Sequence, residues 1–123
     1  MRITGFHHVA VNVRDLDVSA AFFDRVLGFS AGPRTQFRQI LRQRTCEIHL
    51  FQAPEPDAAG PRNWRFLGVQ HVAFGVSERE FERAAEALSE LGLAVEGPVE
   101  DETGRTLYVR DPDGNVIELR QQA

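Results

Sequence analysis

The sequence predicts an α+β fold, with two tandem βαβββ modules forming a curved, cup-shaped mixed sheet and helices outside. Three observations predict it. The stretch His8-Val9-Ala10-Val11-Asn12-Val13 returns 63 residues later as His71-Val72-Ala73-Phe74-Gly75-Val76. That spacing is about half of the 123-residue chain and marks an internal duplication. Each copy is followed by a segment with helical spacing of apolar residues and then by short strand-like runs. The last run of each half carries the same pattern, Ile48-His49-Leu50 in one and Ile117-Glu118-Leu119 in the other. A half of this size buries too little surface alone, so two halves are expected to share a core.

The elements follow in order. After the first strand, Asp15 or Asp17 is placed to cap a helix over about 18–27, with Val18, Phe22 and Val26 as its apolar stripe and Ala21 beside them. Gly28 suits a left-handed helix end. A short strand over 29–34, interrupted by Gly32-Pro33, precedes strands over 37–43 and 47–52 with a turn at Arg44-Thr45. Residues 53–66 carry three prolines and a glycine without period, which reads as a linker. Trp64 and Phe66 near its end are expected to be packing anchors. The second half opens its helix with Ser77-Glu78-Arg79-Glu80, a capping box. Phe81, Ala84, Ala85, Leu88 and Leu91 then follow at helical spacing, and Gly92 closes the helix. Strands are expected over 93–99, 106–110 and 116–120, the last two joined around Asp111-Pro112-Asp113-Gly114-Asn115. The whole chain, 1–123, is thus expected to be one domain: module 1 over about 1–52, the linker, and module 2 over about 67–123.

Composition narrows the function. A net charge of −4 and the lack of a basic stripe argue against nucleic acid as a partner. All fourteen basic residues are Arg, so no lysine is present for Schiff-base or P-loop chemistry. The single cysteine, Cys46, excludes an internal disulfide framework and is expected to be structural. No apolar run is long enough for a signal peptide or membrane span, so a cytoplasmic protein without a membrane partner is expected.

Strand alternation separates the histidines. Val9, Val11 and Val13 share a face with His7, whereas His8 shares the other with Ala10 and Asn12. In the second copy His71 lies with Ala73 and Gly75, opposite Val72, Phe74 and Val76. His49 and Glu118 occupy equivalent positions opposite their flanking aliphatic residues. His8, His49, His71 and Glu118 are therefore expected to face one cavity lined by small residues. Imidazoles and a carboxylate turned inward are costly without partners, and a divalent metal is the simplest partner. A hydrogen-bond donor behind the ligands, or a substrate contact, is the other reading of His49. Alternation also puts Asn12 and Phe51 on the metal side. Thr106, Tyr108 and Arg110 share one face of their strand, which makes Tyr108 and Arg110 further pocket candidates. Arg38, Arg42 and Arg105 are expected at the solvated surface.

These residues resemble the vicinal oxygen chelate superfamily, which includes glyoxalase I, methylmalonyl-CoA epimerase, extradiol dioxygenases, and fosfomycin and bleomycin resistance proteins. The resemblance rests on His8-Val9-Ala10-Val11 with Asp15-Leu16, on Phe22-Phe23-Asp24-Arg25-Val26-Leu27-Gly28-Phe29, on His71-Val72-Ala73-Phe74, and on the stretch from Asp111 to Leu119. It implies metal positions at His8, His49, His71 and Glu118, and one divalent ion per site: Zn, Ni, Co, Mn or Fe(II). Glyoxalase I usually has Glu, and the epimerase Gln, where this chain has His49. The activity implied first is that of a glyoxalase- or epimerase-type lyase or isomerase. It would act on a small substrate that chelates the metal through adjacent oxygens, with Glu118 as proton shuttle. An extradiol-type dioxygenase on Fe(II) or Mn, using His8, His71 and Glu118, is the alternative. A bleomycin-resistance-like protein that binds without chemistry is another. A thiol transferase of the fosfomycin type ranks last, since its phosphonate-binding cluster has no clear counterpart. Homodimers are usual among such proteins.

Overall fold

A computed structural model describes residues 1–57 and 68–123. Trp64, Phe66 and most of the expected linker lie outside the described residues. The chain divides into two compact units, Met1–Ala59 and Gly60–Ala123. The first holds β1 (Val9–Val13), α1 (Leu16–Leu27), β2 (Ser30–Arg34), β3 (Arg38–Gln43) and β4 (Cys46–Gln52). The second holds β5 (Val72–Gly75), α2 (Glu78–Glu90), β6 (Glu96–Asp101), β7 (Gly104–Arg110) and β8 (Val116–Gln122). Each is βαβββ, as the repeat predicts.

Each unit forms a four-stranded sheet, in the orders β1-β4-β3-β2 and β5-β8-β7-β6. The first and last strands of a unit pair in parallel; the remaining pairs are antiparallel. The parallel registers superpose: Val9 faces Ile48 and Ala10 faces His49, while Val72 faces Ile117 and Ala73 faces Glu118. Bulges also recur, one between Ala31 and Arg34 and one between Glu96 and Val99. Both enclose a Gly-Pro pair, Gly32-Pro33 and Gly97-Pro98, since proline withholds the N–H that an unbroken ladder needs.

Helix α1 starts at Leu16, two residues before the expected start, because Asp15 is the cap. Its carboxylate accepts from the Asp17 and Val18 amides at 2.9 and 3.0 Å. The buried residues are Leu16, Ser19, Phe22 and Phe23, whereas Val18 is 54% exposed. Two adjacent phenylalanines share the buried side, turning the stripe away from Val18 and Ala21. Phe23 meets Phe22 edge-on at 5.5 Å and Phe29 at 6.1 Å. Gly28 ends the helix at φ 72°, a conformation that strains any residue with a Cβ. The helix packs on β3 and β4, over a core of Leu41, Ile48 and Leu50.

In the second unit the Ser77 hydroxyl accepts from the Glu80 amide at 3.2 Å, the first half of the expected capping box. Phe81 and Leu88 are the buried residues of α2, which packs on β8. The strand expected over 93–99 begins only at Glu96. Leu93 is used instead to close α2, its amide donating to the Leu88 carbonyl beside Gly92. The expected first strands of both halves also start later than the sequence suggests, so His8 and His71 each stand one residue before a strand.

The turn before β8 is built on Asp111, which is buried. One carboxylate oxygen accepts from the Asp113 and Asn115 amides, and the other from the Asn115 side chain at 2.7 Å. Burial pushes the Asp111 carboxyl above its usual pKa, and the Asn115 bonds pull it back. Asp111→Ala is expected to cost about 2 kcal/mol of stability, because it orphans backbone donors, as read from urea unfolding. The buried Ser19 hydroxyl, by contrast, has no hydrogen-bond partner among the described residues. Ser19→Ala should therefore raise stability by about 1 kcal/mol in the same assay.

Candidate metal centre

In the first unit the parallel register brings the His8 ring against His49. The two imidazoles stack at 3.9 Å with planes 6° apart. His8 is exposed, and His49 is 8% exposed. The Nδ1 atoms of His7 and His8 lie 2.7 Å apart, so the excluded neighbour does touch the site residue. Loss of water around the ring, then the positive charges of His49 and His7, lowers the His8 pKa. A neutral imidazole is the form that binds metal.

Glu47 is the residue that the sequence reading missed. It lies two positions from His49 on β4, hence on the same face. Its Oε1 accepts from His49 Nε2 at 2.6 Å and its Oε2 from Arg42 Nε at 2.9 Å. These two bonds, His49 first, hold the Glu47 carboxyl down at about 2. The signal was present as Glu-x-His on an alternating strand. An ionised carboxylate only accepts, so the His49 Nε2 carries a proton toward Glu47, and in the neutral form of the ring Nδ1 is the unprotonated nitrogen.

In the second unit His71 Nε2 is 2.8 Å from Glu118 Oε2. The other ring nitrogen, Nδ1, is 2.9 Å from the Gln70 side-chain oxygen. Both nitrogens thus face acceptors, and a neutral imidazole has one proton to give. With that proton on Nδ1, Nε2 and the carboxylate would be two electron-pair donors able to share a cation, whereas a proton on Nε2 makes them a hydrogen-bonded pair. Adjacent ligands about 2.1 Å from an octahedral ion stand roughly 3 Å apart, so the observed 2.8 Å fits one edge of a coordination shell. The stacked His8 and His49 do not fit in that way. A ligated ion lies near the plane of each imidazole, and two parallel planes 3.9 Å apart share no such point. The donor chemistry therefore fits a metal at His71 and Glu118, and at His8 or His49 but not both as they stand. Among the described residues no group of three or more His, Cys, Asp or Glu gathers to hold an ion.

The pocket candidates divide. Tyr108 pairs with Glu118 in the β7–β8 register, and its ring meets His71 edge-on at 6.3 Å. Arg110 donates to the Gly114 carbonyl in the Asp111 turn. Asn12 and Phe51 face each other across β1 and β4, next to the Ala10–His49 pair. Arg42 is bound to Glu47, and Arg105 to Glu82 at 2.6 Å, lying over the Phe81 ring. Cys46 is free and exposed. No described helix is long and apolar enough to cross a membrane.

Residues 5–119 match the model of the Glyoxalase/Bleomycin resistance protein/Dioxygenase superfamily. The chain belongs to this superfamily. Its members are mostly metal-dependent enzymes, and they bind small molecules. The chain is 36% identical to virulence protein STM3117 of Salmonella typhimurium, over 98% of itself and 86% of that protein. It is 29% identical to the metallothiol transferase FosB of Lysinibacillus sphaericus (97% and 83% covered) and 30% identical to glyoxylase I 4 of Arabidopsis thaliana (97% and 71%). The integron cassette protein HFX_CASS4, from the Halifax Harbour sewage outfall metagenome, superposes with a TM-score of 0.78. It is 31% identical, with 97% of this chain and 99% of that one covered.

The Glu47 bonds make a pH prediction. Its folded pKa is depressed, so its stabilising contribution is full above the ordinary glutamate value of about 4.5 and is lost as pH falls through about 2. The stability gap between wild type and Glu47→Gln should be constant near neutrality and close across that window. Unfolding midpoints measured from pH 7 to 2 check this.

Proposed function

We propose that this superfamily member is a divalent-metal-dependent lyase or isomerase of glyoxalase or epimerase type, acting on a small substrate that offers two adjacent oxygens. The observation that carries it is the His71–Glu118 pair, two donors 2.8 Å apart with the ring's other nitrogen already engaged. His8 repeats His71 in sequence, each one residue before the first strand of its unit, and on this reading it is the second histidine of a set of two histidines and one carboxylate.

When bound, the divalent ion supplies Lewis acidity toward the substrate oxygens. The chain's own residues do the rest. Glu118, if its Oε2 can leave the metal, is the carboxylate able to carry a proton at the site. His49, held by Glu47 with its proton on Nε2, presents Nδ1 as a base. Tyr108, beside His71, is placed to orient a substrate oxygen.

A second reading draws on the stacked pair. If His49 stays in its bond to Glu47, the metal set is His8, His71 and Glu118 alone, with His49 as a separate acid–base group. That combination suits an extradiol-type dioxygenase on Fe(II) or Mn.

After chelator treatment and reloading with Mn, Fe(II), Co, Ni or Zn, wild type should hold about one ion per His8–His71–Glu118 set. His8→Ala and Glu118→Gln should each weaken binding by more than the roughly 10–100-fold that loss of an outer partner costs. Metal-loaded protein should turn over hemithioacetals or epimerise 2-oxo-activated carbon acids, with no oxygen uptake on catechols. Uptake with a catechol replaces the first reading by the second. Wild type left as empty as the variants after reloading sinks the metalloenzyme. A loaded protein that binds such ligands and converts none is a binding protein.

A further inference from the structure

We propose that Thr106 and Arg120 are positioning residues that make Glu118 a one-oxygen metal ligand, bonding through Oε2. This rests on the metal reading above and deepens it. Thr106 and Arg120 face each other in the β7–β8 register, so their side chains leave the sheet on one side, the side of Glu118. The Thr106 hydroxyl donates to Glu118 Oε1 at 3.0 Å. Arg120 Nη1 donates to the same hydroxyl at 2.6 Å.

Direction in this chain is forced. A guanidinium has no acceptor, so it occupies a lone pair of the Thr106 oxygen. The hydroxyl's single proton is left to point at the carboxylate. Thr106 is 2% exposed and Glu118 7%, so water has little access to replace either bond. Arg120 is fixed from behind: its Nη2 donates to Asp101 Oδ1 at 3.2 Å and to the Thr103 hydroxyl. The Thr103 hydroxyl and amide both donate to Asp101, holding that carboxyl below its usual pKa as a standing anion for Arg120. Arg120 Nη1 stays 3.9 Å from Glu118 Oε1, too far to replace the hydroxyl.

The two carboxylate oxygens of Glu118 are thereby given different work. Oε1 is committed to Thr106, and Oε2 faces His71 Nε2. A carboxylate free to use both oxygens would fill two positions on an ion and leave fewer for a chelating substrate. The Thr106 bond keeps the second position open.

The test uses full-length protein stripped of metal and titrated with Co(II), following affinity and the visible absorption of the bound ion. Thr106→Val keeps the shape and removes the hydroxyl. It should weaken Co(II) binding about 10–100-fold and shift the absorption band, while Thr106→Ser restores both. A loss of packing alone would not be rescued by serine, which lacks the methyl group. If Thr106→Val fails to fold, Arg120→Met decides, since it leaves Thr106 in place but frees its proton direction: weaker binding with a shifted band supports the inference. Wild-type affinity and an unchanged band in the folded variant overturn it. Wild type that takes up no Co(II) overturns the metal reading, and the inference with it.

Discussion

The parallel pairing of first and last strands is the constraint on which both candidate half-sites depend. It joins β1 to β4 and β5 to β8 in one register, Val9 on Ile48 and Val72 on Ile117. In a βαβββ unit the first strand reaches the last only after a helix and two strands have been laid down, so this is its longest-range sheet contact. The register decides which side chain from the start of the unit stands beside which from its end. A slip of one residue would send His49 or Glu118 to the opposite face. Ile48, Leu50, Ile117 and Leu119 prevent the slip, because each is buried and would be driven into solvent. The aliphatic residues on one face thus hold the polar residues on the other.

Much of this was legible in the sequence, since it depends on period and repeat. The duplication, the element order, the helix cap at Ser77, the other cap as one of Asp15 and Asp17, the Arg44-Thr45 turn and the Asp111 turn all follow from local pattern. What the pattern missed has physical causes. The stripe of α1 was misread because Phe22 and Phe23 compete for the same core. Leu93 looked like strand and instead closes a helix. Of the candidate site, the sequence offered His8, His49, His71 and Glu118 by position, but not the side chains that the fold sets beside them. Glu47 reads as an ordinary surface glutamate until β4 puts it beside His49, and Thr106 reads as a strand residue until β7 meets β8.

The partners show how a duplicated scaffold diverges while its register stays fixed. His49 and Glu118 occupy the same position, and each needs support because each is nearly buried. In the first unit support comes along the strand from Glu47, itself clamped by Arg42. The equivalent of Glu47 in the second unit is Val116, which has nothing to donate or accept. Support there comes across the sheet from Thr106 and Arg120, whose equivalents in the first unit are the facing pair Arg38 and Phe51. Both solutions follow from charge. A histidine offering a proton calls for an acceptor behind it, and a carboxylate calls for a donor.

That complementarity bears on which unit is better prepared for a cation. In the second unit the supporting network delivers a donor to one carboxylate oxygen and leaves the other facing His71 Nε2 at 2.8 Å. In the first unit the carboxylate is already satisfied by His49 and Arg42, and the two imidazoles lie face to face. Of the two stacked rings His8 is the exposed one, and it stands one residue before β1. His49 is held by a charge-assisted bond to Glu47 and by its near-complete burial.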